Sequence, residues 1–175
     1  MIMEDISELS TEKRNMRTMK LDEMTPYQII SIMNEEDHNV VEAVHQALPQ
    51  IEKTIQWTTQ SLQSGGRILY IGAGTSGRIG ILDAVECPPT FGGSYNMVVG
   101  VIAGGQEAFV KAKEGAEDDP ELGKKDLQDH QLTAKDGVIG LAASGRTPYV
   151  IGALRYAREL GSKTVAISNN KEAPI

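Results

Sequence analysis

Short apolar runs that alternate with helical segments are the feature of this sequence that most constrains its fold. They predict β-strands over 67–71, 97–102, 137–142 and 163–168. Three of these runs are nearly continuous apolar stretches without polar alternation, as is typical of parallel strands that are covered on both faces. Helices are predicted in the intervening segments, over 76–86, 106–114, 120–129 and 148–160. The alternation predicts a doubly wound α/β fold built on a parallel sheet.

The part of the chain before residue 67 has a different pattern. Residues 1–24 are polar and charged, and we expect them to form an arm rather than a packed element. Thr25 followed by Pro26 is a typical helix start, because the hydroxyl caps the helix and proline suits its first position. Apolar side chains then recur at helical spacing in three successive runs. We therefore predict an arm over 1–24, a helical region over 25–66 that packs on the α/β domain, and the α/β domain over 67–175.

The composition of the 175-residue chain narrows the possible partners and sites. A formal net charge of −7 disfavours nucleic acid or an anionic membrane as the main partner. Cys87 is the single cysteine, and the three histidines show no ligand spacing with nearby carboxylates, so we expect neither a disulfide nor a metal site. No run is apolar enough for a signal peptide or a bilayer span, which leads us to expect a cytoplasmic protein.

A glycine- and hydroxyl-rich turn follows the first predicted strand. It reads Gly72-Ala73-Gly74-Thr75-Ser76-Gly77-Arg78. Glycine allows the backbone to approach a ligand closely, and the free N–H groups of a helix start suit a phosphate. We expect Gly74, Thr75, Ser76 and Gly77 to bind it.

Two nucleotide-binding interpretations of the same turn are weakened by its surroundings. A dinucleotide fold requires an acidic residue at the end of the next strand, but that strand ends in residues 102–105 without one. A P-loop requires Lys and then Ser or Thr after the last glycine, whereas Arg78 and Ile79 follow here.

A second turn of similar composition follows the third predicted strand. It reads Ala142-Ala143-Ser144-Gly145-Arg146-Thr147-Pro148. One such turn could be no more than a tight connection between a strand and a helix. Two hydroxyl-rich turns on one sheet favour an anion site, and we expect Ser144, Gly145 and Thr147 to contribute to it.

Two carboxylates are candidates for acid/base chemistry, although the residues alone leave the simpler interpretation open. We predict that Glu86 ends a helix, because Cys87-Pro88-Pro89 cannot continue it. Glu117 lies in an acidic run over 114–119 that is also typical of a solvated loop. Either glutamate could be an ordinary surface residue.

Four segments together resemble a known enzyme family. They are TEKRN (11–15), IGAGTSGRIGILDAVECPPTFG (71–92), AGGQEAFVKAKEGAEDD (103–119) and AASGRTPYVIGALRYARE (142–159). These motifs resemble those of the N-acetylmuramic acid 6-phosphate etherases, and the similarity extends over nearly the whole chain. The resemblance implies a sugar isomerase (SIS) fold, which is a flavodoxin-like, doubly wound, five-stranded parallel sheet, here with a helical N-terminal region.

The resemblance also implies a reaction. The family cleaves the D-lactyl ether of its substrate by a lyase-type elimination followed by hydration, which gives N-acetylglucosamine 6-phosphate and D-lactate in peptidoglycan recycling. It works as a homodimer without a metal or an organic cofactor. By match of motif, Glu86 protonates the departing lactate and Glu117 is the second essential carboxylate. The hydroxyls that hold the sugar phosphate are then those of Thr75, Ser76, Ser144 and Thr147.

The sequence departs from the family pattern in two places. Met16 stands where many relatives have proline, which is a minor difference. The sequence ends at Ile175, where the family continues with a further strand and a helical portion, so we expect a C-terminally incomplete SIS domain with an uncovered edge strand. About ten helical residues, roughly 15 Å, separate Ser76 from Glu86. Either the helix ends early and the segment before Pro88 folds back, or Glu86 reaches a site on the other subunit of a dimer, and we favour the dimer.

Two alternatives remain for a chain with this resemblance. It could be a sugar-phosphate-binding regulator without catalytic activity, or a sugar-phosphate isomerase on the same fold. Glu86 and Glu117 together favour the etherase, because a regulator needs only the two phosphate turns.

Overall fold

The computed structural model describes residues 9–175, so the first eight residues of the predicted arm lie outside the described part. The rest of that arm contains two short 3-10 helices, Met16–Thr18 and Leu21–Glu23. By its internal contacts the chain divides into two compact units, one that ends at Ile55 and one that comprises Gln56–Ile175. The packing of the helical region on the α/β domain stays a prediction.

The first unit is dominated by helix α1, Pro26–Gln46. Thr25 and Gln28 form a reciprocal capping box, in which the Gln28 N–H donates to Thr25 Oγ1 (3.3 Å) and the Thr25 N–H donates to Gln28 Oε1 (2.8 Å). The first two predicted helical runs therefore belong to one helix. Helix α2, Leu48–Gln63, follows after a single residue and passes the boundary between the two units.

The second unit contains a parallel sheet of four strands. They are β1 (Ile68–Gly72), β2 (Val98–Ile102), β3 (Gly137–Leu141) and β4 (Lys163–Ile167). Each strand begins and ends within one residue of its predicted bounds, and the order in the sheet is β2-β1-β3-β4. β1 is therefore central, and its Gly72 pairs with Ile102 on one side and with Leu141 on the other. In the described part of the chain β4 lies at an edge of the sheet.

Helices cover both faces of this sheet. The helices on the sheet are α3 (Gly74–Phe91) and α6 (Pro148–Leu160), while α4 (Glu107–Val110) contacts α3 and α5 (Pro120–Asp129) contacts α6. α3 packs on β1 and β2 so closely that a Cβ at Gly100 would lie 2.5 Å from Ile81 Cα. α5 and α6 pack on each other, and α6 also contacts β3 and β4. The main core includes Leu69, Ile71 and Val138 from the strands and Tyr149 and Val150 from α6, all essentially inaccessible to solvent.

The predicted end of α3 at Glu86 is wrong, because the helix continues through Pro88 and Pro89 to Phe91. Each proline removes one backbone donor, but the fixed φ of proline is compatible with a helix, so the loss is confined to two hydrogen bonds near the helix end. The close packing of α3 on the sheet outweighs that loss. The helix ends instead at Gly92, which has φ +70° and whose N–H bonds to the Pro88 carbonyl at 2.8 Å.

The predicted helix over 106–114 is also wrong in length, because only α4, Glu107–Val110, forms. The Arg78 guanidinium accounts for the difference. It donates to the Phe109 carbonyl through Nε (2.9 Å) and to the Ala108 carbonyl through Nη2 (2.8 Å). A longer helix would need both carbonyls as acceptors for residues further along the chain, and Lys111 instead adopts an extended conformation.

Candidate functional site

The two glycine- and hydroxyl-rich turns lie side by side at one edge of the sheet. They follow β1 and β3, which are hydrogen-bonded neighbours with Gly72 opposite Leu141. The chain leaves β1 toward β2 on one side, and β3 adds on the other side, so the strand order reverses between β1 and β3. Open α/β sheets bind ligands beyond the carboxyl ends of their strands at such a reversal point. The two predicted turns therefore occupy the expected ligand position of this fold.

The first turn brings the start of α3 directly onto β1. A Cβ at Gly72 would lie 2.7 Å from the Gly77 nitrogen, so neither position has room for a side chain. Gly74 has φ +53° and faces open space. Ala73, at the N-cap of α3, has no side-chain oxygen with which to satisfy the first N–H groups of the helix. The first turn of α3, with Thr75 and Ser76, thus presents backbone donors and hydroxyls that suit an anion.

The second turn leads into α6 in a similar way. Gly145 has φ +68°, and its N–H bonds back to the Ala142 carbonyl at 2.9 Å. Ser144 Oγ accepts from the Arg146 N–H at 3.3 Å. Thr147 occupies the N-cap of α6, but its side chain makes no cap hydrogen bond to that helix. The Ser144 and Thr147 hydroxyls are therefore placed at the start of α6, where the helix dipole favours an anion.

The segment that follows β4, residues 168–175, reaches the same turn and was not predicted from the sequence. The Asn169 N–H donates to the Ala143 carbonyl (2.9 Å), and Asn170 Nδ2 donates to the Ser144 carbonyl (3.1 Å). The Ile175 N–H donates to the Gly145 carbonyl (3.0 Å). The one signal in the sequence was a polar run directly after a strand, at the edge of the sheet where ligands bind.

Glu86 is not brought close to the two turns within one chain. It lies on α3 about twelve residues after Gly74, and at 1.5 Å per residue this separation is about 18 Å. Its side chain is exposed. It shares one face of α3 with Ile79 and Leu82, whose side chains are 59% and 55% exposed.

Glu117 lies in the 3-10 helix Ala116–Asp118. This helix begins directly after Gly115, which has φ +78°. This short helix contacts α6, and Glu117 itself is exposed. Asp119 then caps α5 by accepting from the N–H groups of Glu121 (2.9 Å) and Leu122 (3.3 Å). Glu117 is thus held beside the helix that begins at the second turn, whereas Glu86 lies along the other helix.

Three titratable groups near the sheet have shifted pKa values. Burial and the neighbouring Asp83 raise the pKa of Tyr70, and burial and Asp83 also raise the pKa of the Cys87 thiol. Burial and Asp126 raise the pKa of Tyr149, whose hydroxyl donates to Asp126 Oδ2 at 2.6 Å. All three groups therefore remain protonated at neutral pH, and Tyr149 links the start of α6 to α5.

Neither a metal-binding cluster nor a membrane-spanning helix is found in the part of the chain that the structure describes. Among residues 9–175, no group of three or more His, Cys, Asp and Glu side chains is arranged to hold a metal ion. No helix within the same range combines the length and apolar character that crossing a membrane requires.

Comparison with known families identifies the fold family. The model of the family described as the glucokinase regulatory protein N-terminal SIS domain matches residues 50–158, well over half of the chain. The chain belongs to this SIS-domain family. Two solved structures have the same fold as this SIS domain at 19% identity, which is too low to indicate function. They are a phosphoheptose isomerase from Neisseria gonorrhoeae (TM-score 0.63, 81% of this chain and 73% of that one) and one from Francisella tularensis (TM-score 0.60, 83% and 75%).

Curated relatives of this SIS domain carry the name N-acetylmuramic acid 6-phosphate etherase. One from Francisella tularensis subsp. tularensis is 58% identical over 99% of this chain. One from Pectobacterium atrosepticum is 57% identical over 98%, and one from Halalkalibacterium halodurans is 55% identical over 97%. The chain spans 59%, 56% and 57% of the length of these three relatives, respectively. The predicted SIS-type fold and the resemblance to the N-terminal part of these etherases are confirmed.

Proposed function

We propose that this SIS domain forms the N-terminal part of an N-acetylmuramic acid 6-phosphate etherase, a cytoplasmic carbon–oxygen lyase of peptidoglycan recycling. The observation that carries the proposal is the position of the two hydroxyl-rich turns, side by side at the β1/β3 reversal point. The name shared by relatives that are 55–58% identical supports the choice of substrate. The products are N-acetylglucosamine 6-phosphate and D-lactate.

The phosphate of the substrate is bound at the start of α3 and α6 in this proposal. Thr75, Ser76, Ser144 and Thr147 supply hydroxyls, while Gly74, Gly77 and Gly145 allow the backbone to come close. Because the two helix starts present N–H groups and positive dipole ends, they compensate an anion although the chain carries a net charge of −7.

The chemical step is an elimination followed by a hydration. In the ring-opened sugar a base removes the proton from C2, the C3–O bond breaks, and lactate leaves with a proton from an acid. Water then adds across the carbon–carbon double bond and restores a hydroxyl at C3. We assign the acid to Glu86 and the handling of the C2 proton or the incoming water to Glu117, and no metal or organic cofactor takes part.

The assignment of Glu86 requires a second subunit, and we propose a homodimer with a shared site. Two observations support it. About 18 Å of helix separates Glu86 from the start of α3 in its own chain, and Glu86 lies among the exposed apolar side chains Ile79 and Leu82. A second copy packed on this face would cover the apolar surface and would carry Glu86 toward the partner's turns.

The phosphate site is tested by binding measurements on serine variants. Ser76→Ala and Ser144→Ala should each weaken binding of the sugar phosphate by about 1–3 kcal/mol, the usual value of a hydrogen bond to a charged group. Ser94→Ala is the matched control, because Ser94 is exposed in the loop before β2 and should leave the affinity unchanged. Wild-type affinity in both site variants would exclude this site.

The reaction is tested on the full-length protein with N-acetylmuramic acid 6-phosphate and an assay for released D-lactate. Glu86→Gln should retain substrate binding but lower turnover by about 10²–10⁴-fold, the usual contribution of a positioned acid or base. Near-normal turnover would remove Glu86 from the mechanism. If the wild-type protein binds the sugar phosphate but releases no lactate, the regulator becomes the better description, and the regulatory protein named in the family model gives that alternative some weight.

The shared site is tested by mixing subunits. Glu86→Gln subunits combined with Ser76→Ala subunits should regain activity, because each mixed dimer then contains one intact site. No recovery in mixed dimers would mean that each subunit carries a complete site of its own.

A further inference from the structure

The segment over residues 168–175 contacts the second turn in an unusually regular way. It supplies hydrogen-bond donors to the carbonyls of three consecutive residues, Ala143, Ser144 and Gly145. It also covers Gly145, where a Cβ would lie 2.2 Å from Ala173 Cβ. The segment therefore fixes the orientation of the peptide units of this turn.

The orientation of a peptide unit fixes both of its polar groups. In a planar trans peptide the carbonyl and the following N–H point in opposite directions. Because the Ala143 carbonyl is held toward Asn169, the Ser144 N–H points away from the segment. The Gly145 carbonyl is held toward Ile175, so the Arg146 N–H likewise points away, toward Ser144 Oγ. The Ser144 carbonyl is held toward Asn170, and the N–H of the same peptide, that of Gly145, bonds to the Ala142 carbonyl. All three carbonyl oxygens, which would repel an anion, are thus turned toward the segment.

Among the hydrogen bonds described for residues 9–175, only that of Asn170 joins a side chain of the segment to a carbonyl of this turn. It is 8% exposed, and Ser168 holds it in place. Ser168 Oγ accepts from the Asn170 N–H (3.3 Å) and donates to the Asn170 carbonyl (2.7 Å). The Asn170 amide is thereby aimed at the Ser144 carbonyl.

We propose that Asn170 is a positioning residue for the phosphate site, which it serves by holding the Ser144 carbonyl oxygen away from the phosphate. This inference rests on the proposed function, because it assumes that the second turn binds phosphate. The residue type is specific to the role: an aspartate would present oxygens to the Ser144 carbonyl and would add a negative charge beside the anion.

The test measures the dissociation constants of inorganic phosphate and of N-acetylglucosamine 6-phosphate by calorimetry. Asn170→Ala should weaken the binding of both by about 3–10-fold, and Asn170→Asp should weaken it more. Glu172→Gln, an exposed position in the same segment, is the control and should bind like the wild type. A purely structural role would lower the folded fraction and the binding stoichiometry but would leave the dissociation constant of the folded protein unchanged.

One further variant, together with the two serine variants of the phosphate site, makes the outcome decisive. Ser168→Ala removes the hydrogen bonds that hold Asn170 without replacing Asn170 itself, and it should weaken phosphate binding about 2–5-fold. If the Asn170 variants do not fold, Ser168→Ala tests the role of Asn170 in their place. Wild-type affinity in folded Asn170 variants, or in Ser168→Ala where they do not fold, overturns the inference while the phosphate site stands. If Ser76→Ala and Ser144→Ala also bind phosphate like the wild type, the proposed function itself has failed.

Discussion

Replacing Asp136 by Asn should strongly destabilise the fold without touching the candidate site. Asp136 directly precedes β3, at the edge of the sheet opposite to the two turns, and is 1% exposed. It accepts five hydrogen bonds. Three come from Arg67, through the backbone N–H (2.7 Å), Nε (3.3 Å) and Nη2 (3.0 Å), and two come from Thr133, through the N–H (2.8 Å) and Oγ1 (3.2 Å). Asparagine keeps the shape but replaces one acceptor oxygen by a donor that faces other donors.

The magnitude follows from the burial of the two partners. Breaking a fully buried ion pair by removing one charge costs about 3–5 kcal/mol. The Arg67 side chain is 27% exposed and retains part of its hydration, so we expect about 2–3 kcal/mol for Asp136→Asn.

The effect should also depend on pH. Burial alone would raise the pKa of Asp136, but the hydrogen bonds from Arg67 and Thr133 outweigh it and lower the pKa below its ordinary value. A carboxyl whose pKa is lower in the folded state stabilises the protein above its unfolded pKa of about 3.9. That contribution is lost as the pH falls through the folded pKa. The stability difference between wild type and variant should therefore be constant from about pH 5 to 8 and shrink below about pH 4.

Urea unfolding followed by the fluorescence of Trp57, the single tryptophan, measures this difference. The control is Asp129→Asn, which removes the exposed ion pair with Lys125 on α5 and should change stability by no more than about 0.5 kcal/mol. Equal stability of Asp136→Asn and wild type at pH 7 would refute the reasoning, and so would a difference that persists unchanged at pH 3.

Two further predictions concern close packing and thiol reactivity. Gly152→Ala should lower the free energy of unfolding, measured in urea, by about 1–3 kcal/mol, because its Cβ would lie 2.1 Å from the Pro120 carbonyl oxygen. The same change on an open helix stabilises the protein by about 1 kcal/mol. A stabilised Gly152→Ala variant would therefore contradict the α5–α6 contact. Because burial and Asp83 raise the pKa of Cys87, iodoacetamide should alkylate it more slowly at pH 7.5 in the native protein than in urea, and equal rates would contradict the shift.

The strands and two of the helices were predictable because local signals and packing agree there. α5 and α6 have the predicted bounds, since each begins with a proline after a polar N-cap residue and ends where its apolar pattern stops. The end of α3 was not predictable. Two prolines signal a stop locally, and only the packing of α3 on the sheet makes the helix continue to Phe91. The length of α4 was not predictable for the opposite reason, because the long-range hydrogen bonds of Arg78 shorten it.

The candidate site was predictable in composition but not in arrangement. The sequence identified both turns, yet only the strand order shows that they are neighbours across β1 and β3. The contribution of residues 168–175 was hidden because two of its three hydrogen bonds to the turn come from the backbone, and a backbone donor leaves no trace in residue type. Asn170 is the exception, since its side chain does the bonding.

In the proposed site, phosphate binding and catalysis fall to different parts of the structure, which differ in how rigidly they are held. The phosphate turns are fixed by backbone geometry, through Gly72 against Gly77 and Gly145 against Ala173, so the same turns can serve any phosphorylated sugar. The two carboxylates lie on exposed parts of other elements, Glu86 far along α3 and Glu117 in a short helix beside α6. The choice of reaction must then reside in those outlying elements and in what packs on them. Substitutions in the turns should therefore change affinity for all sugar phosphates alike, whereas substitutions at Glu86 or Glu117 should change the reaction alone.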